Sequence, residues 1–180
     1  MARTTRTLWR RDGGNAIAAA TAAPATAAAT LGSFGTADKL AHVGEDFAAM
    51  LNQGRGPFER SLGLVITSAT VDRVVGIVDL DPLRHTQPWG IVHGGVYCSI
   101  IESLASVGAA LNVMPERTSA GIENQTSFLR SISGGRVEGV ATPVQRGKQM
   151  HLWQVEIRDD QQRPVAHGRV RLVIRDMPQG

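Results

Sequence analysis

The residues His93-Gly94-Gly95-Val96-Tyr97-Cys98-Ser99-Ile100-Ile101-Glu102 set two glycines ahead of an apolar run that holds one carboxylate. From Gly95 to Val113, apolar or small residues occupy every face of a helical wheel, the pattern of a buried helix. An ionised carboxylate buried without partners is strongly destabilising, so Glu102 must be paired, hydrogen-bonded, shifted in pKa or open to a cleft. A cleft that admits substrate resolves the conflict. The first turn of a helix presents N–H groups without intrahelical acceptors at the positive end of the macrodipole, where an oxyanion is stabilised. Gly94 and Gly95 leave that backbone bare to a close approach. Glu102 and Ser106 stand four apart on one helical face and can share a water or a substrate atom.

These parts suit acyl transfer from a good leaving group. The N–H donors take the developing oxyanion while Glu102 attacks the carbonyl or activates water. A thiol has a pKa of about 8.5, so a thioester is cleaved without a strong general acid, whereas an amide or alkoxide leaving group demands one. Gln87 either donates an amide N–H toward the same oxygen or holds its loop. His93 either caps and orients the helix entrance or transfers a proton. His85 has no diagnostic spacing. Neither HExxH nor a cysteine pair nor an Asp/His cluster supports a metal site. Cys98, the single cysteine, excludes an internal disulfide, fits a reducing cytosol and reads as an inert core position.

The elements that must position these groups are legible in the hydrophobic pattern. Lys39 to Asn52 spaces Leu40, Val43, Phe47 and Leu51 as an amphipathic helix. Leu62 to Ser68 and Val71 to Leu80 predict two strands, joined as a hairpin. The loop Asp81 to Ile91, with Pro82, Pro88 and Gly90, leads into the apolar helix. Four further strands are predicted over Ser119 to Ser131, Arg136 to Gln145, Met150 to Arg158 and Pro164 to Ile174. Turn residues separate them, as an antiparallel meander would require. The class is α+β, with a curved sheet around one helix whose other side is free to meet a subunit partner.

A chain of 180 residues that is 42% hydrophobic fits one domain. Residues 1–37 read as a disordered, Ala-rich N-terminal extension, Arg-rich at first and without the continuous apolar stretch of a targeting or membrane segment. The folded domain is expected over 38–180. The net charge of +3 owes much to Arg3, Arg6, Arg10 and Arg11 and implies no nucleic-acid partner.

Gln87, the stretch Gly90-Ile-Val-His-Gly-Gly-Val-Tyr-Cys-Ser-Ile-Ile-Glu-Ser-Leu-Ala-Ser106 and the later Asn124-Gln-Thr-Ser-Phe-Leu-Arg-Ser-Ile132 together resemble the hotdog-fold thioesterases. The resemblance is to the Arthrobacter-type 4-hydroxybenzoyl-CoA thioesterase and PaaI-like branch, and it spans roughly Phe58 to Ile174. It implies a curved antiparallel sheet wrapped around a long central helix. It also implies a cytoplasmic homodimer at least, commonly a homotetramer, with active sites at the dimer interface. On this resemblance Glu102 is the catalytic nucleophile or general base, and Gly94 the residue whose N–H polarises the thioester carbonyl. Gln87 lies near that carbonyl, His93 shapes the loop, and Ser106 stands where the aromatic-acyl enzyme carries threonine. Arg130, Arg146 and Lys148 are the basic residues near the loops expected to meet the coenzyme A phosphates. The implied substrate is an aromatic or medium-chain acyl-CoA. No metal or redox cofactor is implied, and coenzyme A enters as part of the substrate. Two rivals share the architecture: a hotdog enoyl-CoA hydratase or dehydratase, and a non-catalytic acyl-CoA-binding protein. An α/β-hydrolase is excluded by the lack of G-x-S-x-G and of sufficient chain.

Overall fold

The computed structural model describes residues 45–177. Residues 1–37 lie outside that range, as do residues 39–44 of the helix expected over Lys39 to Asn52; of the remainder, residues 45–47 are not helical and the helix begins only at Ala48. Ten elements follow one another. Two short helices, α1 (Ala48–Gln53) and α2 (Pro57–Leu62), precede the strands β1 (Val65–Ala69) and β2 (Val74–Leu80). A helical turn, α3 (Pro82–His85), then leads to the long helix α4 (Gly94–Val113). The strands β3 (Arg117–Phe128), β4 (Gly135–Arg146), β5 (Met150–Asp159) and β6 (Pro164–Asp176) complete the fold.

All six strands form one antiparallel sheet in the order β1-β2-β4-β5-β6-β3. The hairpin of β1 and β2 forms, and β4, β5 and β6 run as a meander. The meander does not include β3, which leaves α4 and crosses to the far edge beside β6, with β1 at the opposite edge. Its place follows from its side chains. Ile122 and Phe128 are half or more exposed, whereas β5 alternates strictly, burying His151, Trp153, Val155, Ile157 and Asp159.

The concave face of the sheet holds α4, whose Ile100, Ile101, Leu104, Ala105 and Ala109 are buried against it. By length and composition α4 could cross a membrane, but here it is the core helix of the domain. Helix and sheet meet closely at Leu104, which fills the space left by two glycines paired across β2 and β4. A Cβ at Gly76 would stand 2.8 Å from its Cδ2, and one at Gly139 2.6 Å from its Cδ1. Burying this helix–sheet interface is the main stabilising term of the fold.

The outer face of α4 is roofed by α1 and α2. The second of these, absent from the sequence reading, is a short helix with Pro57 at its start and Gly63, at φ +72°, at its end. Its Leu62 had been expected to open a strand. Asn52 fastens the roof to β1 through two bonds: its Nδ2 donates to the Ile66 carbonyl (2.7 Å), and its Oδ1 accepts from the Ile66 N–H (3.0 Å). Arg55 adds a bond from Nη1 to the Leu64 carbonyl (2.6 Å).

Candidate active site

The loop between β2 and α4 is tied at several points. Asp81 caps α3 through Leu83 N–H (2.9 Å), and the buried His85 accepts the Asp81 N–H at Nδ1 (2.9 Å). The carbonyl of His85 accepts the His93 N–H (2.8 Å), and Gln87 closes a tight turn by donating to the Ile91 carbonyl (2.9 Å). Gly90, at φ +73°, supplies the left-handed residue this turn requires. The Gln87 side-chain amide has no hydrogen-bond partner among the described residues, so it is available to a ligand. Burial, with the Arg84 cation second, holds the His85 imidazole below its ordinary pKa.

His93 is the N-cap of α4, its Nδ1 accepting the Gly95 N–H at 2.9 Å. The Val96 N–H goes to the His93 carbonyl (2.9 Å). Gly94 therefore keeps an N–H with no acceptor among the described residues, at the positive end of a helix of 20 residues. The ring of Phe128, from the end of β3, lies against Gly94 and 6.3 Å, centroid to centroid, from Tyr97. Burial pushes the Tyr97 hydroxyl up to about 12, so it stays protonated.

Two turns along, Glu102 projects from the outer face of α4 and is half-buried. It lines a cavity of about 710 Å³ between α4, the roof helices and β3. Among the described residues no Lys, Arg or His forms an ion pair with it. Its carboxylate instead accepts at Oε2 from the Asn124 amide of β3 (3.1 Å). Ser106 lines the same cavity, and its hydroxyl has no partner among the described residues. Leu51, Phe58, Leu64, Val107, Leu111 and Met114 make much of the remaining wall apolar. A ligand with an apolar acyl part and a reactive carbonyl near Glu102 would match this distribution. Cys98 is not the core position expected: it is partly exposed and lines the cavity one turn before Glu102.

The three basic residues are not brought together. Arg130 follows Phe128 and is exposed at the end of the domain where α4 begins. Arg146 sits at the other end, where Nη1 meets Asp72 (2.8 Å) and Asn112 Oδ1 (3.0 Å) beside the last turn of α4. The carbonyl of Lys148, at the same end, accepts from Arg117 (2.7 Å). Asn124 carries no local sequence signal of a role at the site. Its bond to Glu102 depends on β3 lying alongside α4, a long-range placement with no local signature. Among the described residues no group of three or more His, Cys, Asp or Glu side chains is placed to hold a metal ion.

A sheet curled around one long helix, with a carboxylate on the helix's outer face and a free glycine N–H at its head, defines a hotdog-fold thioester hydrolase. The model of the thioesterase superfamily (4HBT) matches residues 90–166. A Mycobacterium tuberculosis protein provisionally named an esterase, Rv1847, is 47% identical over 119 residues, covering 64% of this chain and 84% of its own. Its solved structure superposes with a TM-score of 0.66 at 42% identity, covering 69% of this chain and all of that one. The proofreading thioesterase EntH of Cronobacter sakazakii is 31% identical over 119 residues, 66% of this chain and 86% of its own. A thioesterase structure from Haemophilus influenzae aligns at 26% identity with a TM-score of 0.69, covering 73% of this chain and 92% of that one. The chain belongs to the thioesterase superfamily.

Proposed function

We propose that this thioesterase hydrolyses an aromatic or medium-chain acyl-CoA to the free acid and coenzyme A, with Glu102 as nucleophile or general base. The observation that carries the reading is the cavity-facing Glu102 carboxylate, free of any counter-cation among the described residues; the unsatisfied Gly94 N–H stands two turns away at the head of α4, and neither it nor His93 nor Gln87 lines that cavity. Eight residues of helix, about 12 Å of rise, separate Gly94 from Glu102, so the Gly94 amide that receives the developing oxyanion is that of a second copy of the chain. Either an oxygen of Glu102 attacks the carbonyl carbon, or Glu102 takes a proton from a water that attacks it. In both cases the C–S bond breaks and coenzyme A departs as thiolate; an acyl-Glu102 anhydride, if formed, is then opened by water. Ser106 positions the water, Gln87 adds a donor near the carbonyl, and His93 keeps the helix entrance in place.

No metal or redox group takes part in this scheme. Arg130, exposed near the head of α4, is the basic residue assigned in this reading to the coenzyme phosphates. Arg146 and Lys148 would reach phosphates only at the far end of the domain. The unpaired outer edge of β3 runs beside the cavity, and a second copy of the chain adding its own β3 would complete the site as a homodimer, two of which make the expected homotetramer. Neither nucleic acid nor membrane enters this reading, which places the enzyme in the cytoplasm with its acyl-CoA substrate.

The test is a panel of aromatic and aliphatic acyl-CoAs with detection of free thiol. Thiol release from benzoyl-CoA or a C6–C10 acyl-CoA supports the reading. Reversible hydration of an enoyl-CoA without thiol release overturns it in favour of a hydratase, and tight binding with no turnover overturns it in favour of a sensor.

A further inference from the structure

We infer that Asn124 is a positioning residue for the Glu102 carboxylate, served by Thr126 behind it and by the bare backbone of Gly121. The inference deepens the proposed function and rests on Glu102 being its catalytic carboxylate.

The three residues lie on β3, which flanks the cavity, and each has a definite relation to Glu102. The pairing of β3 with β6 shifts register between Gly121 and Glu123, so the strand bulges where it passes the carboxylate. Oε1 of Glu102 lies so close over Gly121 that any Cβ there would overlap it. A missing side chain therefore reserves the carboxylate's seat. Three residues further on, the Nδ2 of Asn124 donates to Oε2 of Glu102 and to the Cys98 carbonyl, both at 3.1 Å. The two acceptors stand one turn apart on α4 and use both hydrogens of the amide.

Turned over, the same amide would set its oxygen against the carboxylate. The Cys98 carbonyl and the carboxylate, which can only accept, oppose that orientation, and Thr126 holds the amide from behind by donating its hydroxyl to Oδ1 of Asn124 at 2.7 Å. Thr126 and Asn124 are two apart in a strand, hence on one face, and this bond requires that placement.

The terminal torsion of a glutamate is broad and roughly two-fold, so an untethered Glu102 carboxylate would sample many orientations. Fixing Oε2 with the Asn124 amide, while Gly121 seats Oε1, holds the carboxylate in one pose toward the cavity. A neutral donor does this without supplying a counter-cation, so the full negative charge stays available to the thioester carbon or to water. An Arg or Lys at position 124 would orient the group equally well and neutralise it.

The experiment uses the full chain with benzoyl-CoA and octanoyl-CoA, each variant being checked by thermal melting for an intact fold. Asn124→Ala is expected to lower kcat about tenfold to a hundredfold, as misplacement of a reacting group by an ångström does. KM should change by less than about twofold, because the residue acts on Glu102 and not on ground-state binding. Thr126→Val, which keeps the shape and deletes the hydroxyl, should lower kcat about threefold to tenfold in the wild-type background and have little further effect in Asn124→Ala. That non-additivity is the signature of Thr126 acting through Asn124, which a separate contribution to folding would not give. A folded Asn124→Ala enzyme with wild-type kcat, or a Thr126→Val effect of equal size in both backgrounds, overturns the inference and leaves the functional reading standing. A wild-type protein that releases no thiol from any acyl-CoA overturns both.

Discussion

The ring of Phe128 at the end of β3 rests against Gly94 at the head of α4, where a Cβ would stand 2.7 Å from its Cζ. The ring occupies the space of a side chain at Gly94, and under the proposed function the N–H must also stay open to a carbonyl oxygen. Gly94→Ala must displace either the ring or the amide. Because displacing an oxyanion donor costs most of its benefit, kcat/KM should fall about tenfold to a hundredfold. The ring is 57% exposed and free to yield, so the melting temperature should change little. Trimming the ring with Phe128→Ala in the Gly94→Ala background should restore part of the activity. Steady-state thiol release by the two single variants and the double variant checks this, and a fully active Gly94→Ala protein refutes the assignment of the amide.

Glu102→Gln keeps the size and the acceptor oxygen of the side chain while deleting its charge. The bond from Asn124 survives in kind, and no cation among the described residues is orphaned by the change. The fold should therefore persist, with thermal melting close to wild type. Turnover should drop by about two to four orders of magnitude, the range for loss of a positioned general base. Activity within a few-fold of wild type would remove Glu102 from the chemistry.

Stability and catalysis separate at Leu104. This side chain is fully buried between Gly76 and Gly139, which have no side chains to move into a vacated space. Leu104→Ala should destabilise the domain by about 2–5 kcal/mol, toward the upper part of that range because the glycine walls cannot collapse inward. Urea denaturation followed by circular dichroism measures the loss. Turnover per folded molecule at low temperature should remain near wild type, since Leu104 faces the sheet and not the cavity.

Glu102 was legible as a candidate because it contradicts its surroundings: a carboxylate in an apolar helix needs a reason, and periodicity alone exposes it. The two-glycine entrance to α4 was legible on similar grounds. The six strands were legible to within a few residues from β-branched runs and turn residues, but not the position of β3. Nothing local in Arg117–Phe128 says that it pairs with β6 at an edge, so the Asn124 contact that depends on that pairing was invisible. The α2 helix was missed because six residues are too few to show a period, although Pro57 and Gly63 mark its two ends. Cys98 was misplaced because an all-round apolar helix does not reveal which face the sheet leaves open.

The His85 imidazole should make the loop between β2 and α4 sensitive to acid. It is 4% exposed, and its Nδ1 must be unprotonated to accept the Asp81 N–H. Burial, with Arg84 second, lowers its pKa in the folded state below the ordinary value of about 6.5. The unfolded chain then binds a proton that the folded chain refuses, so stability is greatest above about pH 6.5 and declines as pH falls from there toward the folded-state pKa. His151, buried at the other end of the sheet with Arg146 and Arg117 nearby, is shifted in the same direction and adds to the slope. Asn at position 85 places an uncharged oxygen near the site of Nδ1, so His85→Asn should preserve the cap and flatten the decline. Urea midpoints at pH 7.5 and 5.5 for wild type, His85→Asn and the His85→Asn/His151→Asn pair measure it. The decline should shrink stepwise through that series, and an unchanged decline in the double variant would show that acid acts on other groups.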